Sequence, residues 1–363
     1  MKNNCKALFY LGHPAHFHLF KHAIRSLRED EFIVCIKSKD VLEKLLHEEG
    51  IPFVNVDEKS AGKKNKSSFG RLMDFGNRLI RLYGIIREYR PQRLMGSAAE
   101  LGVLGRLTGI PSYIFFEDDF EKVASFARIA GPTATYLICP DCCSAWKWNS
   151  KKIGYPSYHE LAYLHPDHFR AEQVMEFAGK KYFIIRFSEL GAYHDTGKSG
   201  ITDEFAMQLI RMLEPHGRVY ITSERELPPQ FEPYRISISP SKIHHALAGA
   251  EIFIGDSQTM TAEAAVLGTP ALRFNDFVGE LGYLEDLEHR FGLTYGIRTN
   301  QPDQLIRRLN ELLAMTSLKK VWLEKRERML AEKNNFAKSI LHILNCGPHD
   351  VTCIRGISEK QTS

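Results

Sequence analysis

Residues 256–263, Asp-Ser-Gln-Thr-Met-Thr-Ala-Glu, set two carboxylates and three hydroxyls between an apolar run and an alanine-rich one. Glu251–Gly255 reads as a strand, and Ala262, Ala265, Val266 and Leu267 as the inward face of a helix. Gly268 closes that helix and Pro270 opens the next strand. The polar turn therefore falls at a helix N-terminus, on the carboxyl side of a parallel strand. Unpaired N–H groups and hydroxyls there hold an anion. Glu263, one turn further on, is placed to meet a neutral diol such as a ribose. Asp256 is an awkward neighbour for an anion and is expected to cap or orient the turn. The plainer alternative is a Ser or Thr N-cap with Glu263 on the surface.

A second concentration of chemistry follows the first apolar run. After Leu8–Leu11 come Gly12, His13, Pro14, His16 and His18. Gly12 and Pro14 shape a turn, and His13 and His16 lie where a first strand ends. An imidazole pKa near 6.5 suits a general base. His18 is at helical spacing from His22, and both read as helix residues without a role. Further candidates are Glu117 beside Asp118 and Asp119, the adjacent pair His194 and Asp195, and Arg186 at the end of an apolar run. No metal is expected. Cys139 and Cys142 form one C-x-x-C, and Cys346 and Cys353 flank His349, but the two groups lie far apart in the chain. Seven cysteines, with Cys35 and Cys139 inside strand-like runs, predict buried reduced thiols rather than a disulfide framework.

These residues need two positioning scaffolds. Strand-like runs fall at 6–11, 32–37, 52–56, 93–96, 112–116 and 136–139, then at 182–187, 218–222, 236–239, 251–255, 270–274 and 293–296. Helical patterns fall between many of them, the signature of parallel sheets with crossover helices. The irregular stretch 151–169 separates the two series. The expectation is an α/β chain of two Rossmann-like, doubly wound domains, 1–165 and 166–345, with a last helical stretch over 317–345 and a flexible tail over 346–363.

Hydrophobic content of 44%, charged content of 25% and a net charge of +4 describe an ordinary globular chain. No apolar run approaches a membrane span and no signal peptide is visible, so a cytoplasmic location is expected. Charge concentrates in one place. Residues 59–93 hold ten Lys and Arg against Asp74 and Glu88. There Leu72, Phe75, Leu79, Leu82, Tyr83 and Ile86 share one helical face, and Arg71, Arg78 and Arg81 another. Such a segment fits peripheral contact with the inner membrane, or a core helix with a solvated basic face. No recognition motif for nucleic acid accompanies it.

The pattern Asp256-Ser257, Glu263, Leu267-Gly268 and Pro270 resembles the C-domain signature of UDP-N-acetylglucosamine 2-epimerases and related GT-B nucleotide-sugar enzymes. The resemblance implies that Ser257, Gln258 and Thr259 bind the diphosphate and Glu263 the uridine ribose. More closely, the chain resembles an uncharacterised bacterial and archaeal family of that superfamily. The shared motifs are Gly12–His16, Arg186–Phe187 with Ala192–Asp195, and Asp256–Ala265. The implied fold is GT-B-like, with a nucleotide-sugar donor on the second domain and the acceptor on the first.

Two reactions then compete. The epimerases carry an Arg in the first βα turn, where this chain has His13 and His16. They carry a Gly-Asp pair after the fourth strand, where it has Met95-Gly96-Ser97, and Ser97 cannot act as an acid or base near neutral pH. Glu117 matches one downstream acid, and His194 lies near an epimerase histidine. Glycosyl transfer requires only a base for the acceptor hydroxyl and cations or N–H dipoles for the leaving diphosphate. His16, His13 or the His194–Asp195 pair supplies the first; Arg186, Gly12 and the Asp256–Thr259 turn supply the second. A glycosyltransferase using a UDP-linked sugar and a glycan or lipid-linked acceptor, without added cofactor, is therefore the leading expectation. A 2-epimerase is the alternative.

Overall fold

Strands β1 (Ala7–Leu11) and β2 (Phe32–Ile36) are buried along their whole length, as a parallel strand covered on both faces must be. The structure is a computed structural model, and it describes residues 5–37, 40–57, 68–188 and 200–358. The chain divides into two units: Met1–Tyr163 with Asn334–Ser363, and Leu164–Lys333.

In the first unit β3 (Val54–Asn55), β4 (Leu94–Gly96), β5 (Ser112–Phe115), β6 (Tyr136–Pro140) and β7 (Lys152–Tyr155) join β1 and β2. All pairings are parallel, in the order β3-β2-β1-β4-β5-β6-β7. The helices between them are α1 (Pro14–Arg25), α2 (Asp40–Glu48), α3 (Ser68–Tyr89), α4 (Ala99–Thr108) and α5 (Ala124–Thr133). The second unit orders its strands β12-β11-β10-β8-β9, again all parallel. They are β8 (Tyr182–Phe187), β9 (Arg218–Ser223), β10 (Phe253–Gly255), β11 (Ala271–Phe274) and β12 (Thr294–Ile297). Its helices are α6 (Asp203–Leu213), α7 (Ile243–Gly249), α8 (Gln258–Leu267), α9 (Gly282–Glu285), α10 (Pro302–Leu313) and α11 (Leu318–Glu332). Both sheets are doubly wound, with strand order reversing between β1 and β4 and between β8 and β10. Open α/β sheets bind ligands at such switch points.

The structure departs from the sequence expectation in four places. Strand β7 lies inside the stretch read as irregular, because a four-residue edge strand with Lys152 and Gly154 carries no apolar run. The run 236–239 is no strand; only an isolated bridge from Ile221 to Arg235 precedes it. Arg78 does not belong to a solvated basic face. Its side chain turns inward to Glu100 (2.8 Å) and toward Asp57 (3.8 Å), because the buried Glu100 carboxylate needs a cation. The outer face of α3 instead exposes Leu72, Met73, Ile80 and Tyr83.

The fourth departure is the C-terminal segment. The helical stretch expected over 317–345 is broken at Lys333, Asn334 and Asn335. Helix α12 (Phe336–Asn345) then belongs to the first unit. Asn335 caps it by accepting from the Ala337 N–H at 3.0 Å. The Phe336 ring stacks on Tyr155 at 3.7 Å and lies parallel to His159 at 5.7 Å. Residues 346–358 are no tail either. They form α13 (Val351–Arg355) and a 3-10 turn, and Cys346 and Cys353 are joined as a disulfide rather than remaining thiols. Their loop receives the buried Arg93 guanidinium on the Cys346 carbonyl and the Tyr113 hydroxyl on the Pro348 carbonyl (2.7 Å). Buried donors with no water to turn to hold that loop in place.

Phe336→Ala removes a fully buried ring from the first unit and is expected to cost about 3–5 kcal/mol. Urea unfolding followed by tryptophan fluorescence in a Trp322→Phe background, which leaves Trp146 and Trp148 of the first unit, measures it. An unchanged midpoint would mean that α12 is dispensable to that unit.

Candidate functional site

At the switch point of the second unit, β8 and β10 approach closely at their carboxyl ends. A Cβ on Gly255 would stand 2.8 Å from Arg186 Cβ and 2.7 Å from the Phe253 ring, so only glycine fits. Asp256 follows and is 4% exposed. Its carboxylate accepts the Ser188 N–H (2.6 Å) and the Ile201 N–H (3.3 Å), and its carbonyl accepts Asn275 Nδ2 (2.8 Å). Burial pushes the Asp256 carboxyl above its ordinary pKa, against the pull of those two N–H groups. The charge that looked awkward beside an anion is thus turned away from the turn and bound to backbone.

Ser257 is the N-cap of α8, its Oγ accepting the Met260 N–H at 3.3 Å. Gln258 and Thr259 are the first two helical residues, so their N–H groups have no acceptor within the helix. No acidic residue lies in that first turn. The helix ends on Gly268, whose φ is +83°. Glu263 is no surface residue. It is 5% exposed, and its Oε1 lies 3.0 Å from Nε2 of the equally buried His244. His244 is reached from α7 and had no place in the sequence reading; nothing local marks a pair nineteen residues apart. Arg186, at the end of β8, donates from Nη1 to Thr222 Oγ1 (2.9 Å) and from Nη2 to Glu224.

The first unit repeats the close approach at its own switch point. A Cβ on Gly96 would lie 2.5 Å from the Tyr10 carbonyl oxygen. Two imidazoles follow β1. His13 is the N-cap of α1, and its Nδ1 accepts the Ala15 N–H at 3.2 Å. His16 Nδ1 accepts the Gly12 N–H at 3.2 Å. A backbone N–H can only donate, so each ring, when neutral, carries its proton on Nε2 and presents a donor there. Their rings are 6.1 Å apart.

Glu117, beyond β5, meets a partner the sequence reading missed. His159 Nδ1 lies 3.4 Å from Glu117 Oε2, and Cys143 Sγ donates to the Glu117 carbonyl at 2.9 Å. Burial first, and the neighbouring His16 second, push the His159 pKa down to about 3. Its ring is therefore neutral, with Nδ1 near the carboxylate, and its Nε2 has no hydrogen-bond partner among the described residues. His159 sits in the stretch 151–169 that carries no pattern, so only the adjacency of β5, β6 and β7 reveals it. Asp119 is engaged by the Ser144 N–H. His194 and Asp195 lie outside the described residues.

No protein-family model matches the chain, and no curated protein sequence does. Solved structures are similar along nearly its whole length. A UDP co-structure of MnaA from S. aureus is 12% identical, with a TM-score of 0.66, covering 94% of this chain and 96% of that one. A putative UDP-N-acetylglucosamine 2-epimerase from Listeria monocytogenes is 13% identical at a TM-score of 0.67, with coverages of 93% and 95%. The spinosyn rhamnosyltransferase SpnG, complexed with spinosyn aglycone, is 15% identical at 0.61, covering 94% and 100%. The fold is GT-B-like, α/β, with two Rossmann-like domains.

His159 also makes a pH prediction. The unfolded ring titrates near 6.5 and the folded one near 3, so the unfolded state binds the extra proton between those values. Its contribution to stability is complete above about pH 6.5 and is lost as pH falls toward 3, at no more than about 1.4 kcal/mol per pH unit. His159→Phe keeps a stacked ring that cannot titrate. Between pH 7 and 5 its urea midpoint should fall less than that of the unchanged chain. Equal falls would mean that His159 is not buried neutral.

Proposed function

We propose that the chain is a glycosyltransferase that takes a nucleotide-diphosphate sugar, UDP-linked in the first instance, and passes the sugar to a hydroxyl of a glycan or lipid-linked acceptor. Surface polysaccharide or glycolipid assembly is the setting that suits such a reaction. One observation carries this reading. The N-terminus of α8 offers the Gln258 and Thr259 N–H groups at a switch point, while the one carboxylate beside them is bound elsewhere. A helix N-terminus favours the charge that develops on a departing diphosphate. Arg186 adds a cation at the end of the neighbouring strand. Glu263 has a carboxylate that can accept a ribose hydroxyl beside its bond to His244, since a carboxylate accepts up to about four hydrogen bonds. The similarity to a UDP co-structure and to a rhamnosyltransferase supports the same reading.

In the first unit the roles divide by proton position. His13 and His16, holding their protons on Nε2, act as donors to substrate oxygens. Glu117, with the His159 ring 3.4 Å away, acts as the proton acceptor for the attacking hydroxyl. The exposed Leu72, Met73, Ile80 and Tyr83 of α3 support an acceptor presented at a lipid surface. Among the described residues no helix is long and apolar enough to cross a membrane.

UDP at a hundredfold excess over its Kd should stabilise the chain by about 2.7 kcal/mol. Glu263→Ala should abolish the resulting rise in melting temperature. No shift with UDP or any other nucleoside diphosphate would sink the donor site. Glu117→Gln should stop sugar transfer and leave the UDP shift intact; if it turns over normally, Glu117 is not the acceptor of the proton. The 2-epimerase reading rests on the same Glu117 and on the similarity to 2-epimerases. Incubation with UDP-N-acetylglucosamine alone in D₂O separates the two, because only an epimerase introduces deuterium at C2 without an acceptor.

A further inference from the structure

His342 and Cys346 stand four residues apart at the end of α12, and therefore on one side of the helix. Helix α13 returns Cys353 to the same place. One ligand atom from each of the three residues lies within 4.8 Å of the other two. His342 Nε2 is 3.9 Å from Cys353 Sγ and 2.7 Å from the Cys353 carbonyl oxygen. Cys346 is buried, whereas His342 and Cys353 are partly exposed, so the group opens to solvent on one side. It also sits at the carboxyl end of α12, where the helix dipole favours a cation.

Two sulfurs and one imidazole nitrogen are a borderline-soft donor set. Ligands placed tetrahedrally about 2.0–2.3 Å from Zn²⁺ stand roughly 3.3–3.8 Å from one another. The 3.9 Å between His342 and Cys353 is already close to that spacing. We propose that in the reduced chain His342, Cys346 and Cys353 form a Zn²⁺ site, and that the disulfide is the oxidised, metal-free state of the same site. Two equivalents of a low-molecular-weight thiol reduce the Cys346–Cys353 bond. They leave as their own disulfide, and two electrons and two protons pass to the cysteine sulfurs. Zn²⁺ then displaces those two protons, and two thiolates balance its charge. His342 gives up its bond to the Cys353 carbonyl to bind through the same nitrogen, and water completes the fourth position. Either state closes the loop whose carbonyls receive Arg93 and Tyr113, so the site keeps that loop docked under two redox conditions.

The test uses the full chain, reduced with a phosphine, desalted without oxygen and titrated with Zn²⁺ against a chromophoric chelator. One equivalent per chain is expected in the reduced protein and none in the oxidised protein. The double variant Cys346→Ser/Cys353→Ser should bind none, and His342→Ala should bind at least about tenfold more weakly. Circular dichroism checks that each variant is folded, and the oxidised unmodified chain provides a comparison that needs no variant. Three results would overturn the proposal: no Zn²⁺ retained by the reduced chain, equal retention by the oxidised chain, or loss of the equivalent in Cys142→Ser, which would assign the metal to the other cysteines.

Discussion

The second unit depends on where one carboxylate puts its charge. Asp256 stands at the mouth of a helix N-terminus, the place in an α/β sheet where a negative side chain most directly competes with an anionic ligand. Left facing the turn, it would cancel the partial positive charge of α8. Bound to the Ser188 and Ile201 N–H groups, it ties the end of β8 to the start of α6 and leaves the dipole uncompensated. Asn275 completes the arrangement by fastening the Asp256 carbonyl to the end of β11. Three chain segments are thereby held to one residue, and the turn between them has little freedom to rearrange.

The first unit handles its own polar groups in a comparable way. The Nδ1 atoms of His13 and His16 are spent on backbone donors, which fixes the neutral tautomer. Glu100, on the helix that follows β4, is tied to Arg78. Glu117, beyond β5, lies 3.4 Å from the His159 imidazole. Each unit also places a glycine where its switch-point strand ends, Gly96 in one and Gly255 in the other, because the neighbouring strand leaves no room for a Cβ. The shared device reflects the geometry of doubly wound sheets rather than the chemistry of either site.

Features confined to one segment were legible in the sequence. The polar turn at 256–259 was readable because strand, turn, N-cap, helix and closing glycine follow one another within about twenty residues, each with its own local signal. Strands β1, β2 and β6 were readable as apolar runs buried on both faces. Pairs that the fold assembles were not. His159 meets Glu117 only through the adjacency of three strands, and His244 meets Glu263 only because α7 lies against α8. The alternating residues 236–239 imitate a strand, while β7 hides behind a lysine and a glycine. Helical periodicity placed α3 correctly and found the buried Leu82 and Ile86, but it did not foresee that Arg78 turns inward to Glu100 while Leu72 and Tyr83 stay exposed.

The return of residues 334–358 to the first unit has a consequence for how the chain is made. Tyr155 and His159 leave the ribosome long before Phe336, which must stack against them, and all of the second unit is synthesised in between. At about 5–20 residues per second, that interval is on the order of ten to thirty seconds. Through it the nascent first unit has an uncovered aromatic face, and Arg93 has no Cys346 carbonyl to receive it. The second unit, continuous in sequence, can close first. The amino-terminal half of the protein is thus the last to finish folding.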